Sequence, residues 1–159
     1  MRGLIERYVR EMVKIPSTSN TEMEKNCADY IAEELAKQPY FKVHPEQTGK
    51  YLLPEDSLGR SVPWGLVKGN GGSRKTIILT GHYDVVDTEE YGNERALAYD
   101  VEKWENLVKS GNALPGMPEE VKEDFLSGEW MFGRGTADMK GGLRQAGIRP
   151  PQGVQPVPV

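Results

Sequence analysis

The stretch TIILTGHYDVV, residues 76–86, decides the predicted fold. Its first part, residues 76–80, is rich in β-branched side chains, is apolar on both faces and is bounded by glycines. This pattern is typical of a central strand in a sheet that is covered on both sides. Two segments with helical periodicity precede the strand. We therefore predict an α/β layered fold with a largely parallel central sheet.

The two preceding segments are predicted to be amphipathic helices. Apolar side chains recur at helical spacing within residues 3–14, and Pro16 ends this first helix. A second helix is predicted over residues 22–37, where Thr21 and Glu24 form a capping-box pattern at its start. Cys27 lies on the apolar stripe of this second helix. We expect it to be a buried small hydrophobic residue and not a nucleophile.

The remaining segments predict a single domain with an insertion and a tail. A chain of 159 residues is typical of one domain. Residues 87–129 are charged and rich in loops, and we interpret them as an insertion that covers one rim of the site. Residues 143–159 are Pro-rich and contain no acidic residue, which predicts a disordered tail. Further extended segments are predicted at 40–43 and 64–68, and further helices at 101–109 and 118–126.

Composition excludes several classes of function. The formal net charge is −4 and there is no basic patch, which disfavours a surface for nucleic acid or for an anionic membrane. No apolar run approaches the ~20 residues that a membrane-spanning helix needs. The single cysteine, Cys27, cannot form an intramolecular disulfide, which favours a cytoplasmic location.

The first candidate site follows the predicted strand directly. In an extended backbone, residues i and i+2 point to the same side, so His82 and Asp84 are expected to project together. Ligands of open α/β sheets bind at the carboxyl ends of strands. An imidazole beside a carboxylate suits a metal ligand with a partner that orients its ring. The alternative is a polar turn in which His82 is merely hydrogen-bonded.

The second candidate site is the glycine-rich stretch GRGTADMKGG, residues 133–142. A phosphate-binding loop would need G-x-x-x-x-G-K-[ST] or G-x-G-x-x-G, and neither pattern is present. A purely structural loop remains possible for this stretch alone. A tight turn that presents Asp138 to a cation accounts better for an acid among glycines.

Together, the two motifs carry a resemblance to a known family. The H-x-D of residues 82–84 and the later G-R-G-x-x-D-M-K-G turn resemble those of the dinuclear zinc peptidases and amidohydrolases of clan MH. That family includes aminoacylase, acetylornithine deacetylase and succinyl-diaminopimelate desuccinylase. The strings TGHYDVVDTEEYG and SGEWMFGRGTADMKGG are most similar to arginine-utilisation proteins of the RocB type. The resemblance implies a partial three-layer α/β/α catalytic domain with a mostly parallel central sheet, whose N-terminal part is residues 1–142.

The resemblance also implies a role for each matching residue. His82 would bind one zinc ion, Asp84 would orient the His82 ring as a catalytic residue, and Asp138 would bridge two zinc ions. A cis peptide bond between Asp138 and Met139 is implied as well. A complete site would hold two Zn²⁺, for which Co²⁺ or Mn²⁺ could substitute. The implied reaction is hydrolysis of a peptide or N-acyl amino acid amide bond in a small-molecule substrate, within arginine or amino-acid catabolism.

Several functional groups of the family have no counterpart in this sequence. The general-base glutamate and three further zinc ligands are absent, and the pair Glu119–Glu120 precedes Asp138 and is expected on a solvated helix surface. We therefore expect this chain to be a truncated N-terminal portion of a hydrolase that is inactive alone. Two alternatives remain: a non-catalytic metal-binding or interaction module, and a gene fragment with no function.

Overall fold

The computed structural model describes residues 2–72, 74–110 and 118–146. The predicted tail lies outside these residues except for its first four. In chain order the described residues form α1 (Arg2–Val13), α2 (Glu24–Ala36), α3 (Pro39–Val43), β1 (Thr48–Leu52), β2 (Ser61–Gly65), α4 (Val101–Lys109), α5 (Glu119–Ser127) and α6 (Gly141–Ala146). Between them lie a 3₁₀ turn, Pro45–Gln47, a kinked run of 3₁₀ turns, Glu89–Tyr99, and a turn, Thr136–Lys140, whose backbone is not helical at Asp138 and Met139.

Helices α1 and α2 confirm the two helices predicted at the start of the chain. They share one buried cluster, and Cys27 is fully buried within it, as predicted. The members of this cluster are Met12, Cys27, Ile31, Leu35, Tyr40 and Phe41. Helix α2 starts at Glu24, two residues later than the capping-box pattern predicts. The Glu24 carboxylate accepts a hydrogen bond from the Asn20 amide at 2.7 Å and not from the Thr21 amide.

The strands β1 and β2 form an antiparallel pair, with Thr48 opposite Gly65 and Leu52 opposite Ser61. Helix α2 packs against both strands. The extended segment predicted at 64–68 overlaps β2 only at its start. The segment predicted at 40–43 is wrong, because these residues form α3. Pro39 stands in the first turn of α3, where its fixed φ favours a helix.

The predicted central strand, residues 76–80, has no regular secondary structure and pairs with no strand among the described residues. The side chains of Ile77 and Ile78 are 87% and 82% exposed, so the expectation that they are buried on both faces is wrong in this structure. The described residues mix helices with a small sheet, but the three-layer arrangement with a mostly parallel sheet is not present among them. Their one parallel contact is an isolated bridge between Thr18 and Val85. The backbone N–H and C=O groups of a strand need hydrogen-bond partners on a neighbouring strand. The apolar pattern of one segment does not show whether such a neighbouring strand is present.

The predicted insertion, residues 87–129, is mostly helical where it is described. Helix α4 has the predicted bounds, and α5 differs from its prediction by one residue at each end. The Trp104 ring contacts the rings of Phe125 and Phe132 at centroid distances of 5.8 and 6.4 Å. Val101 joins α4 to α1 by packing on Val9 and Val13. None of the described helices has the length and apolar character needed to cross a membrane.

Candidate metal centre

His82 lies between two carboxylates, one facing each of its ring nitrogens. Its Nδ1 lies 3.1 Å from Asp84 Oδ1 and 3.1 Å from the Asp84 backbone oxygen. Its Nε2 lies 2.9 Å from Asp138 Oδ1. The structure therefore brings together all three predicted site residues, although His82 and Asp138 are 56 residues apart in the chain.

The loop after α1 holds Asp84 in place. Ser19 Oγ donates a hydrogen bond to Asp84 Oδ2 at 2.7 Å. The backbone of this loop pairs with the same segment, because the Ser19 amide donates to the Val85 oxygen and the Val85 amide donates to the Ser17 oxygen, each at 2.9 Å. The Ser17 hydroxyl, which is fully buried, donates to the Tyr83 oxygen at 2.6 Å. Sequence reasoning did not identify Ser17 or Ser19 as part of the site.

The electrostatics of the site follow from these contacts. The Ser19 hydrogen bond lowers the pKa of Asp84, and the nearby His82 charge acts in the same direction against partial desolvation. Desolvation lowers the pKa of His82, but the hydrogen bonds to Asp138 and to the Asp84 backbone outweigh it and leave this pKa above its ordinary value. Without a metal, the two carboxylates therefore favour a protonated His82.

The glycine-rich turn approaches the His82 segment closely. Gly135 has a φ of +81°, and a Cβ on it would lie 2.5 Å from Val85 Cγ1. The peptide bond between Asp138 and Met139 is cis, as the resemblance implies. The side chain of Asp138 is 87% exposed, so its carboxylate is accessible from solvent. Glycine at position 135 thus permits the approach that brings Asp138 to His82.

Lys140 is a second feature that sequence reasoning missed. Its side chain is fully buried, and Nζ donates to the backbone oxygens of Met12 and Ile15 at 2.9 and 2.8 Å. Desolvation lowers the pKa of Lys140, with an opposing effect from Cys27. The available signal was its place in the motif, two residues after Asp138 and among glycines.

A cleft of about 310 Å³ opens between the two motifs. Ser19, His82 and Asp138 contribute to its lining, and so does Arg134. The Arg134 guanidinium pairs with the Glu90 carboxylate at 3.0 Å and lies over the Tyr91 ring, 5.2 Å from its centroid. The residues predicted to be an insertion therefore contact the glycine-rich turn beside the candidate site.

The donor set fits a small divalent cation but is incomplete for tight binding. One imidazole nitrogen and one carboxylate oxygen, 2.9 Å apart, are ligands that zinc accepts, with bonds of about 2.0–2.2 Å. Within the described part of the chain, no group of three or more His, Cys, Asp or Glu could hold a metal ion. Glu119 and Glu120 lie exposed on α5, as predicted. The second histidine, His44, instead packs on the Tyr40 ring.

Two curated relatives from Bacillus subtilis (strain 168) are similar to most of this chain. Protein RocB is 33% identical over 139 residues, which cover 87% of this chain and 24% of RocB. The uncharacterized protein YqjN is 38% identical over 133 residues, which cover 83% of this chain and 23% of YqjN. The chain thus spans about a quarter of the length of these relatives. No family model and no solved structure matches it. The predicted similarity to proteins of the RocB type is confirmed.

Proposed function

We propose that this chain, which resembles RocB over most of its own length, carries part of the metal centre of a zinc-dependent hydrolase acting on a peptide or N-acyl amino acid amide bond. The observation that carries the proposal is the convergence of His82, Asp84 and Asp138 at one cleft. A histidine with a carboxylate on one ring nitrogen and an exposed carboxylate on the other has the arrangement of a metal ligand beside a second ligand.

Each residue has a distinct task in this proposal. The Asp84 carboxylate accepts the Nδ1 proton of His82, which fixes the tautomer and makes Nε2, the nitrogen that faces Asp138, the atom that would bind a cation. Asp138 offers two carboxylate oxygens at an exposed position, which suits a ligand shared by two cations. Two zinc ions, or Co²⁺ or Mn²⁺ in their place, would lower the pKa of a bound water towards about 7 and polarise the amide carbonyl of the substrate.

The activity of this chain by itself is expected to be low. A catalytic zinc usually has three protein ligands, and the described residues bring two to the site. The same observation favours a second candidate function, a metal-binding module without catalysis. The hydrolase and the non-catalytic module would bind metal through the same residues, but only the hydrolase would turn over a substrate.

The resemblance also supports a cellular setting. Similarity to the RocB type favours arginine or amino-acid catabolism, with a small peptide or N-acyl amino acid as the substrate of the complete enzyme. The lone, buried Cys27 favours a cytoplasmic location. The net charge of −4 gives no attraction to nucleic acid or to an anionic membrane, so neither is proposed as a partner.

Calorimetric titration with Zn²⁺ and Co²⁺ tests the metal site. We expect His82→Gln and Asp138→Asn each to weaken binding at least tenfold. His44→Gln is the matched control, because it removes the other histidine of the chain, which faces Tyr40 and Glu46. Equal affinities for the wild type and His82→Gln would contradict the proposal.

Hydrolysis assays then separate the two candidate functions. The metal-loaded chain is offered a panel of N-acyl amino acids, including an N-acylarginine, and release of the free amino acid is measured. Slow turnover that disappears in His82→Gln supports the hydrolase. Metal binding that depends on His82, with no turnover of any panel member, supports the non-catalytic module.

A further inference from the structure

We propose that Lys140 is a positioning residue of this metal centre, which sets the place of Asp138 by anchoring the glycine-rich turn to the end of α1. The proposal rests on the proposed function, because it concerns the spacing between His82 and Asp138. Lys140 does not contact the cleft and acts through the backbone that joins it to Asp138.

Lys140 anchors the glycine-rich turn to the end of α1 and the residues that follow it. Lys140 Nζ donates to the backbone oxygens of Met12 and Ile15 at 2.9 and 2.8 Å. Met12 lies in the last turn of α1, and its oxygen also accepts the Ile15 amide at 3.2 Å, whereas Ile15 lies two residues beyond the end of the helix at Val13. The Lys140 amide donates to the Gly135 oxygen at 2.9 Å, which closes the turn around Asp138. The turn and the end of α1 are therefore joined by directional hydrogen bonds.

The chain that follows α1 leads directly to the residues that hold His82. Ser17 donates its hydroxyl proton to the Tyr83 oxygen, and its backbone oxygen accepts the Val85 amide. Ser19 donates to the Asp84 carboxylate, which in turn contacts the His82 ring. Residues 12–19 therefore connect the two metal-ligand candidates. Met12 and Ile15 hold Asp138 in place through Lys140, and Ser17 and Ser19 hold His82 in place through the segment that contains it.

A buried charge at position 140 needs a reason, because an apolar side chain of similar length would fill the space without the cost of desolvation. Apolar packing also lacks direction and lets a turn shift by small distances. Hydrogen bonds from one ammonium group to two carbonyls fix both the distance and the direction. Accurate placement matters for two ligands that must bind one ion from separate parts of the chain.

The test uses Lys140→Met, which retains most of the side-chain volume and removes the charge and the donors. The first readout is the ¹⁵N spectrum of the His82 ring at fixed pH without metal, which is assigned easily because the chain has two histidines. We expect the Nε2 signal of Lys140→Met to move towards that of Asp138→Asn. The second readout is Co²⁺ affinity, which we expect to fall at least tenfold.

The matched control is Val101→Ala, which removes volume from the buried cluster between α1 and α4 at a residue that does not line the cleft. It should lower the melting temperature and leave the His82 signals and the Co²⁺ affinity unchanged. If Lys140→Met does not fold, Lys140→Gln replaces it, since the shorter amide retains a donor but reaches less far.

The outcomes separate the two proposals. A wild-type His82 spectrum and wild-type Co²⁺ affinity in a folded Lys140 variant would overturn the positioning role. If the wild-type chain itself binds no Co²⁺, the proposed function fails, and the His82 ring signals still decide whether Lys140 positions Asp138.

Discussion

Substitution of Gly135 by alanine should destabilise the protein through two separate effects. Gly135 has a φ of +81°, and an L-residue in this left-handed region costs about 1–2 kcal/mol. The added Cβ would also lie 2.5 Å from Val85 Cγ1, and overpacking of this kind costs about 1–3 kcal/mol. Because the two effects act together, we expect Gly135→Ala to lower the free energy of unfolding by roughly 2–5 kcal/mol.

Gly128→Ala is the matched control for this prediction. Gly128 also has a positive φ, +69°, but a Cβ on it would meet nothing within 4 Å. Only the backbone effect of about 1–2 kcal/mol is expected there. Urea denaturation followed by circular dichroism measures both variants. If Gly135→Ala costs no more than Gly128→Ala, the close approach of the glycine-rich turn to Val85 is refuted.

Three further predictions follow from the burial and charge of other residues. Ser19→Ala should raise the pKa of Asp84, measured by carboxyl ¹³C NMR, because the Ser19 hydrogen bond is the main cause of its lowering. A carboxyl group whose pKa is lowered in the folded state stabilises the protein above its unfolded pKa, and this stabilisation is lost as the pH falls through its folded pKa. The free energy of unfolding of Ser19→Ala should therefore fall less on acidification than that of the wild type. An unchanged Asp84 titration would argue against the Ser19 contact. Ile78→Ser should change the free energy of unfolding by less than about 0.5 kcal/mol, because the Ile78 side chain is exposed. Val13→Ala should lower it by about 2 kcal/mol, because Val13 is buried in the core. Equal changes for the two variants in chemical denaturation would contradict the fold. Cys27 should react slowly with a thiol reagent in the native state and quickly in guanidinium, because burial both shields it and raises its pKa, and rapid native labelling would show otherwise.

The sequence predicted the helices well because their signals are local. The apolar spacing in residues 3–14 and 22–37 appears in α1 and α2, and residues 101–109 form α4 with the predicted bounds. The pairing of His82 with Asp84 was also predictable, since it follows from the alternation of side chains in extended backbone. The placement of Asp138 beside them came from a family resemblance, because no local rule joins residues so far apart.

The sequence predicted pairing and burial less well, because both depend on distant partners. Residues 76–80 have the composition of a central strand, but strand hydrogen bonds need a neighbour that the described residues do not supply. Residues 40–43 were predicted to be extended, but Pro39 in the first turn favours the helix α3 that they form. Lys140 was overlooked because lysine is rarely buried, and its partners are the backbone oxygens of Met12 and Ile15, more than a hundred residues earlier.

The most direct test of the central claim is a crystal structure of the chain soaked in Zn²⁺, with anomalous diffraction measured at the zinc edge. We expect an anomalous peak within bonding distance of His82 Nε2 and of an Asp138 carboxylate oxygen, with the Asp84 carboxylate still facing Nδ1. Zinc bound at His44 with none between His82 and Asp138 would contradict this expectation.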